Sequence, residues 1–112
     1  TLELMDLSAR ADWGYAGDYV EALQRMLRHN EPSDFIVATG VMHTIRDWVE
    51  YAFAQCGLDW RDYVVESKIS KSRSQSSLCG NAKKLQHATN WSNTIDFHGL
   101  IDGMLEFELS QP

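Results

Sequence analysis

Residues 12–27, DWGYAGDYVEALQRML, constrain the chain more than any other stretch. They read as an extended entry followed by a helix with a marked start. Asp18 stands where a side chain caps the first turn, and Glu21 follows three residues later, the reciprocal spacing of a capping box. Tyr19, Val20, Leu23, Met26 and Leu27 then recur at three- and four-residue intervals, so one face of this helix is apolar and needs cover. Ahead of it, Trp13 and Tyr15 alternate with Gly14 and Gly17. Aromatics flanked by glycines, next to the exposed N–H groups of a helix start, suit a ligand site. They also suit a hydrophobic staple and a tight turn, and spacing alone favours that second reading.

The remaining elements follow the same signals. Residues 1–11 begin with alternating Leu2 and Leu4, a weak strand pattern that needs a partner. The first helix ends near residues 28–30, with basic side chains in its last turn and Pro32 beyond. Residues 34–39 (DFIVAT), closed by Gly40, predict a short buried strand. Thr44 with Asp47 forms a second capping box. Behind it Ile45, Trp48, Val49, Ala52, Phe53 and Cys56 line one helical face, and Gly57 ends it. Residues 63–66 (YVVE) predict another strand, and the serine-rich, basic residues 67–77 a loop. Asn81 stands as the cap of a short helix running to about Asn90. A last helix covers roughly residues 96–109, with Phe97, Leu100, Ile101, Met104 and Leu105 on its apolar face. Gly99 and Gly103 weaken that helix by about 1 kcal/mol each relative to alanine. No internal repeat or domain boundary interrupts the 112 residues, so a single domain, 1–112, is expected.

The net charge of −6 argues against a broad basic surface for nucleic acid. Two cysteines without a CxxC or histidine-rich spacing suit neither zinc nor a disulfide scaffold. They read as reduced thiols of a cytoplasmic protein, with Cys56 buried on its helix. No apolar run has the length of a membrane span, and no signal peptide opens the chain. The start inside a strand-like run is read as a sign that an upstream portion is absent. His29, His43, His87 and His98 share no ligand spacing. Trp13, Trp48, Trp60 and Trp91 read as core and edge anchors, and Arg46 with Asp47 as a local pair or a contact for a partner.

Five blocks carry a resemblance. RADWGYAGDYVEAL at residues 10–23 resembles the segment that opens the C-terminal, substrate-binding part of GDP-mannose 4,6-dehydratases, which are extended short-chain dehydrogenase/reductases. FIVATG at 35–40, HTIRDWVEYAF at 43–53 and GLDWRDYV at 57–64 continue the likeness in order. LCGNAKKLQHATNW at 78–91 is similar to the family's LGDPSKAKEKLGW-like stretch. The resemblance implies an α/β or α+β fold of about four helices with a few short strands, like the C-terminal lobe of such an enzyme. It also implies a GDP-sugar as ligand. NADP would bind the Rossmann part, whose glycine-rich turn and catalytic Tyr-x-x-x-Lys have no counterpart here: Tyr15, Tyr19, Tyr51 and Tyr63 precede Tyr19, Leu23, Gln55 and Ser67 by four residues. Catalysis by this chain alone is therefore not expected, and no cofactor is assigned to it.

In the related enzymes an arginine just before the Asp-aromatic pair approaches the substrate pyrophosphate. Here that position is Ala11, with Arg10 one residue earlier, and neighbouring strand residues face opposite ways. A second family arginine, in an R-P-x-E stretch, falls near Lys71 and Arg73, and the family's G-N has become Met5-Asp6. The added carboxylate repels phosphate, so the resemblance implies an eroded pocket. Lys68, Lys71 and Arg73 form a basic cluster, read first as a solvated loop. The candidate substrate-binding residues are thus Arg10, Trp13, Tyr15, Lys71 and Arg73. An apolar face left open by the missing part would serve self-association or a protein partner.

Overall fold

The computed structural model describes residues 1–67 and 78–112. The basic serine-rich cluster, with Lys68, Lys71 and Arg73, lies outside the described residues. In chain order come β1 (Leu2–Leu4), β2 (Arg10–Ala11), α1 (Ala16–Arg28), β3 (His43–Thr44), α2 (Ile45–Gln55), a 3-10 turn (Trp60–Asp62), β4 (Val64–Glu66), α3 (Lys83–Thr89) and α4 (Phe97–Leu109). The strands make two separate pairs. β1 runs parallel to β4 with Leu2 beside Val64, and β2 runs antiparallel to β3 with Arg10 opposite Thr44 and Ala11 opposite His43.

The second capping box forms as the spacing predicts. The Thr44 hydroxyl oxygen accepts from the Asp47 amide at 3.0 Å, and the Asp47 carboxylate accepts from the Thr44 amide at 2.8 Å. The amides of Ile45 and Arg46 donate to the carbonyls of Ala9 and Leu7, both at 3.0 Å. The first three N–H groups of α2 thus all have partners, and two of those partners tie the helix to the loop after β1. Gly57, at φ +71°, ends the helix in a conformation that favours glycine.

The start of α1 differs from its sequence signal. The helix begins three residues earlier, after Tyr15, and no side chain caps it. Asp18 is instead turned into the protein, 5% exposed. Its carboxylate accepts from the amides of Thr94 and Ile95 at 2.9 and 3.1 Å and from the Thr94 hydroxyl at 2.6 Å. The distant loop offers three donors, and a cap can use only one of its own helix's amides. Burial alone would raise the pKa of Asp18. The hydrogen bonds from the Thr94 hydroxyl and the Ile95 and Thr94 amides outweigh it and hold the carboxyl below its ordinary range.

Residues 34–39 also depart from expectation. No strand forms over them, and no ladder is assigned to them among the described residues. Phe35 and Val37 pack on a core of Ala22, Ala82, Leu85 and Trp91, while Ile36 is exposed. A second core joins Leu7, Val49 and Val64, with Leu4, Ile45, Phe53 and Trp60 around them. Cys56 is exposed beyond the last turn of α2 and not buried. Arg46 lies over the Trp60 ring, 5.6 Å from its centre, and does not pair with Asp47. At α3, Asn81 accepts from the Lys83 amide at 3.0 Å, one position ahead of the N-cap residue Ala82.

The molecule is a plate, 53 × 39 × 18 Å. Its radius of gyration is 17.1 Å, against about 13 Å for a compact domain of this length. A plate this thin buries side chains only where one element packs on another. α1 shows the consequence. At 100° per residue its apolar side chains span an arc of about 160°. Tyr19, Ala22 and Met26 meet the first core, whereas Val20, Leu23 and Leu27 are left in the open, Leu27 at 86% exposure.

Candidate functional site

A cleft of about 300 Å³ opens where the entrances of α2 and α4 converge. Trp13 and the loop at Thr39 and Val41 form one side. His43, just before the cap of α2, and Asp96, Phe97 and His98, at the cap and first turn of α4, form the other, with Asn93 at the edge. Phe97 is its structural centre. The rings of Trp13 and Trp48 lie 5.9 and 5.5 Å from it, and His43 stacks flat on it with centres 3.8 Å apart and planes 7° from parallel. Trp13 and Trp48 meet edge to face at 5.5 Å.

Two carboxylates hold the walls. Asp12 accepts from the Gly40 amide at 2.8 Å, from the Thr39 amide at 3.3 Å and from the Thr39 hydroxyl. It thereby fixes the 39–43 loop beside Trp13. Asp18 holds residues 94 and 95, and its backbone carbonyl accepts from the Trp91 indole N–H at 2.9 Å. Asp96 caps α4 through the Gly99 amide at 2.7 Å, and the Asn93 side-chain amide donates to the Ile95 carbonyl at 3.3 Å. Flat aromatic faces lie beside a hydroxyl, an amide, a carboxylate and two imidazoles. Such a lining suits a planar ring with polar substituents.

Behind His98 lies a shallower recess shared by His43, Asp47, Glu50 and Tyr51. Tyr51 stacks on His98 at 4.2 Å and donates its hydroxyl to both oxygens of Asp102, at 2.9 and 3.1 Å. That hydrogen bond, before burial and the neighbouring charges of Asp102 and Asp96, raises the pKa of the phenol. Among the described residues no group of three or more His, Cys, Asp or Glu is arranged to hold a metal.

The residues singled out in the sequence do not assemble into one site. Trp13 lines the cleft. Tyr15, two positions on, lines a different groove along α4. Arg10 is exposed on β2 and belongs to neither, while Lys71 and Arg73 lie outside the described residues. The glycines around these aromatics have a packing reason. A side chain at Gly14 would collide with the Tyr19 ring, and one at Gly17 with the Tyr15 ring. The space beside them is therefore filled by protein, and neither glycine opens a cradle for a dinucleotide pyrophosphate. β3 enters α2 directly at Thr44 without a glycine-rich turn. Sequence reasoning missed the pairing of His43 with His98, 6.4 Å apart. The usable signal was their shared position: each sits within two residues of a helix cap, Thr44 or Asp96.

The model of the GDP-mannose 4,6 dehydratase family matches residues 1–104. GDP-mannose 4,6 dehydratase 2 of Arabidopsis thaliana is 36% identical over 109 residues, which cover 96% of this chain and 29% of the plant protein. The Homo sapiens GDP-mannose 4,6 dehydratase is 31% identical over 124 residues, covering 95% and 33%. This chain thus spans about a third of the length of the curated relatives it matches. Among solved structures, RMD from Pseudomonas aeruginosa complexed with NADPH superposes with a TM-score of 0.82 at 23% identity, over 94% of this chain and 34% of that one. UDP-glucose 4-epimerase from Bifidobacterium longum, in complex with NAD+ and UDP, gives 0.81 at 9% identity, over 98% and 35%. These two likenesses show the fold, that of extended short-chain dehydrogenase/reductases.

Proposed function

The chain belongs to the GDP-mannose 4,6-dehydratase family, and from that premise we propose that it is a sugar-nucleotide-holding part that carries out no catalysis by itself. The cleft at Trp13 carries this reading. Its aromatic faces accept the base or the sugar ring, and Thr39, Asn93 and Asp96 meet the hydroxyls. His43 and His98 supply donors at the entrance of two helices, where N–H dipoles favour an anion, although the capping carboxylates Asp47 and Asp96 weaken that field. Lys71 and Arg73 are the charged side chains the sequence offers to the diphosphate, and Arg10 and Tyr15 stay outside the cleft. Affinity for a GDP-sugar is expected to be weak, since the chain is acidic overall and Ala11 stands where the family has arginine.

Dehydration of the sugar and NADP binding fall to the two thirds of the relatives' length that this chain does not span. None of the 112 residues forms a Tyr-x-x-x-Lys motif or a glycine-rich turn. Calorimetric titration with GDP and GDP-mannose tests the reading. Saturable heat in the millimolar range or tighter, lost in Trp13→Ala and reduced in the Lys71→Ala/Arg73→Ala pair, supports it. No heat and no thermal stabilisation overturns it.

A second reading rests on the open stripe of Val20, Leu23 and Leu27, which are 52%, 53% and 86% exposed on α1. Here the pocket is vestigial and the chain is a small self-associating module. Sedimentation would then find a dimer that Leu23→Glu/Leu27→Glu dissociates. A monomer at high concentration removes this reading.

A further inference from the structure

Along the outer side of α4 runs a groove of about 420 Å³, open to solvent and separate from the Trp13 cleft. Tyr15 and Ile95 close one end, and Leu100, Met104 and Phe107 form its walls. Gly99 and Gly103, one turn apart, both line it. A Cβ at Gly99 would meet Ile95 and Asp96 at 3.2 and 3.1 Å, whereas nothing lies within 4 Å of where a Gly103 Cβ would stand. Met104 and Phe107 are 53% and 63% exposed, so the apolar surface is left uncovered.

The charges around the groove say what covers it. Glu106 and Glu108 sit in the last turn of α4, which holds no basic residue. Carboxylates at the negative end of a helix dipole are unfavourable unless a cation is supplied from elsewhere. On the helical wheel these two carboxylates fall on opposite flanks of the groove. A second copy presenting the same helix would offer them no cation, because α4 holds no lysine or arginine. An apolar stripe bordered by lysine or arginine would meet both the walls and the flanks. We infer that the α4 groove docks a basic amphipathic helix of a partner protein, with its apolar side chains between Tyr15 and Phe107 and its cations on Glu106 and Glu108.

The test uses a synthetic labelled helix with leucines on one face and lysines on the other, followed by fluorescence anisotropy against the full chain. Saturable binding is expected, weakening as salt rises. A Cβ at Gly103 meets nothing within 4 Å and leucine favours a helix over glycine, so Gly103→Leu should keep its thermal midpoint while its affinity drops about tenfold or more. Glu106→Gln/Glu108→Gln should flatten the salt dependence and leave the fold intact. Three results would overturn the inference: no saturation, a Gly103→Leu chain that binds as well as the unmodified one, or equal binding of a leucine/glutamate helix. Self-assembly abolished by Gly103→Leu would also overturn it, by giving the groove to a second copy.

Discussion

The two sides of α4 are held in opposite ways. On the inner side Phe97 and Ile101 are buried, and rings from β3 and α2 and from the stretch before α1 converge on Phe97. The segments around it are tied by the carboxylates of Asp12 and Asp18, which accept from loops 27 and 76 residues away. On the outer side Met104 and Phe107 stand open over two glycines, and the helix end lacks a cation. Charge-assisted bonds to backbone amides have direction, so they place a loop and whatever ring it carries. Apolar contact has none, so the outer groove is shaped by what is missing. It suits an adaptable partner surface better than a site for one small molecule.

Breaking the inner side should have the largest effect. Trp91 is 2% exposed and bonded through its indole to Asp18. Trp91→Ala should lower unfolding free energy by about 4 kcal/mol in urea. A loss below 1 kcal/mol would mean that this core is not closed. Asp18→Asn comes next, at about 2 kcal/mol near neutral pH, because amide donors of Thr94 and Ile95 lose their charged acceptor. The sign with pH follows from the lowered pKa of Asp18. Its contribution is fully present above the unfolded value and is lost as pH falls through the folded one. The gap between the unmodified chain and Asp18→Asn should therefore be widest at neutral pH and close below about pH 4. A gap independent of pH would show that the carboxylate charge is immaterial.

Much of the chain was legible before any coordinates. The box at Thr44 and Asp47 formed where its spacing put it, and Thr44→Ala should lose about 1 kcal/mol. β1, β4 and the buried positions Val49 of α2 and Phe97 and Ile101 of α4 were also readable, whereas Cys56 and Met104, read onto those faces, are exposed. A capping box involves neighbours along the chain, so local rules suffice. Asp18 carried the same local signal and went elsewhere, since Thr94 and Ile95, far away in sequence, offered it more hydrogen bonds. Trp13 was singled out and lines the cleft, but His43, Asn93 and His98 were not grouped with it. Nothing in their spacing reports that the entrances of α2 and α4 meet.

The smallest effect belongs to the outer side. Gly103→Ala should raise stability by up to about 1 kcal/mol, since the new methyl meets nothing and glycine loses more backbone freedom on folding. Destabilisation would show that the helix bends there and needs its glycine.

The sequence by itself determined that four helices form, the capping box of α2 and the family, because each is written in residues close together along the chain. Only the tertiary structure decided which carboxylate became a tether and which a cap, and that Trp13 and Tyr15 would part to different hollows. It also decided that half of α1's apolar arc would stay uncovered. Those outcomes depend on which donors and surfaces arrive from distant segments, and one-dimensional spacing carries no record of that competition.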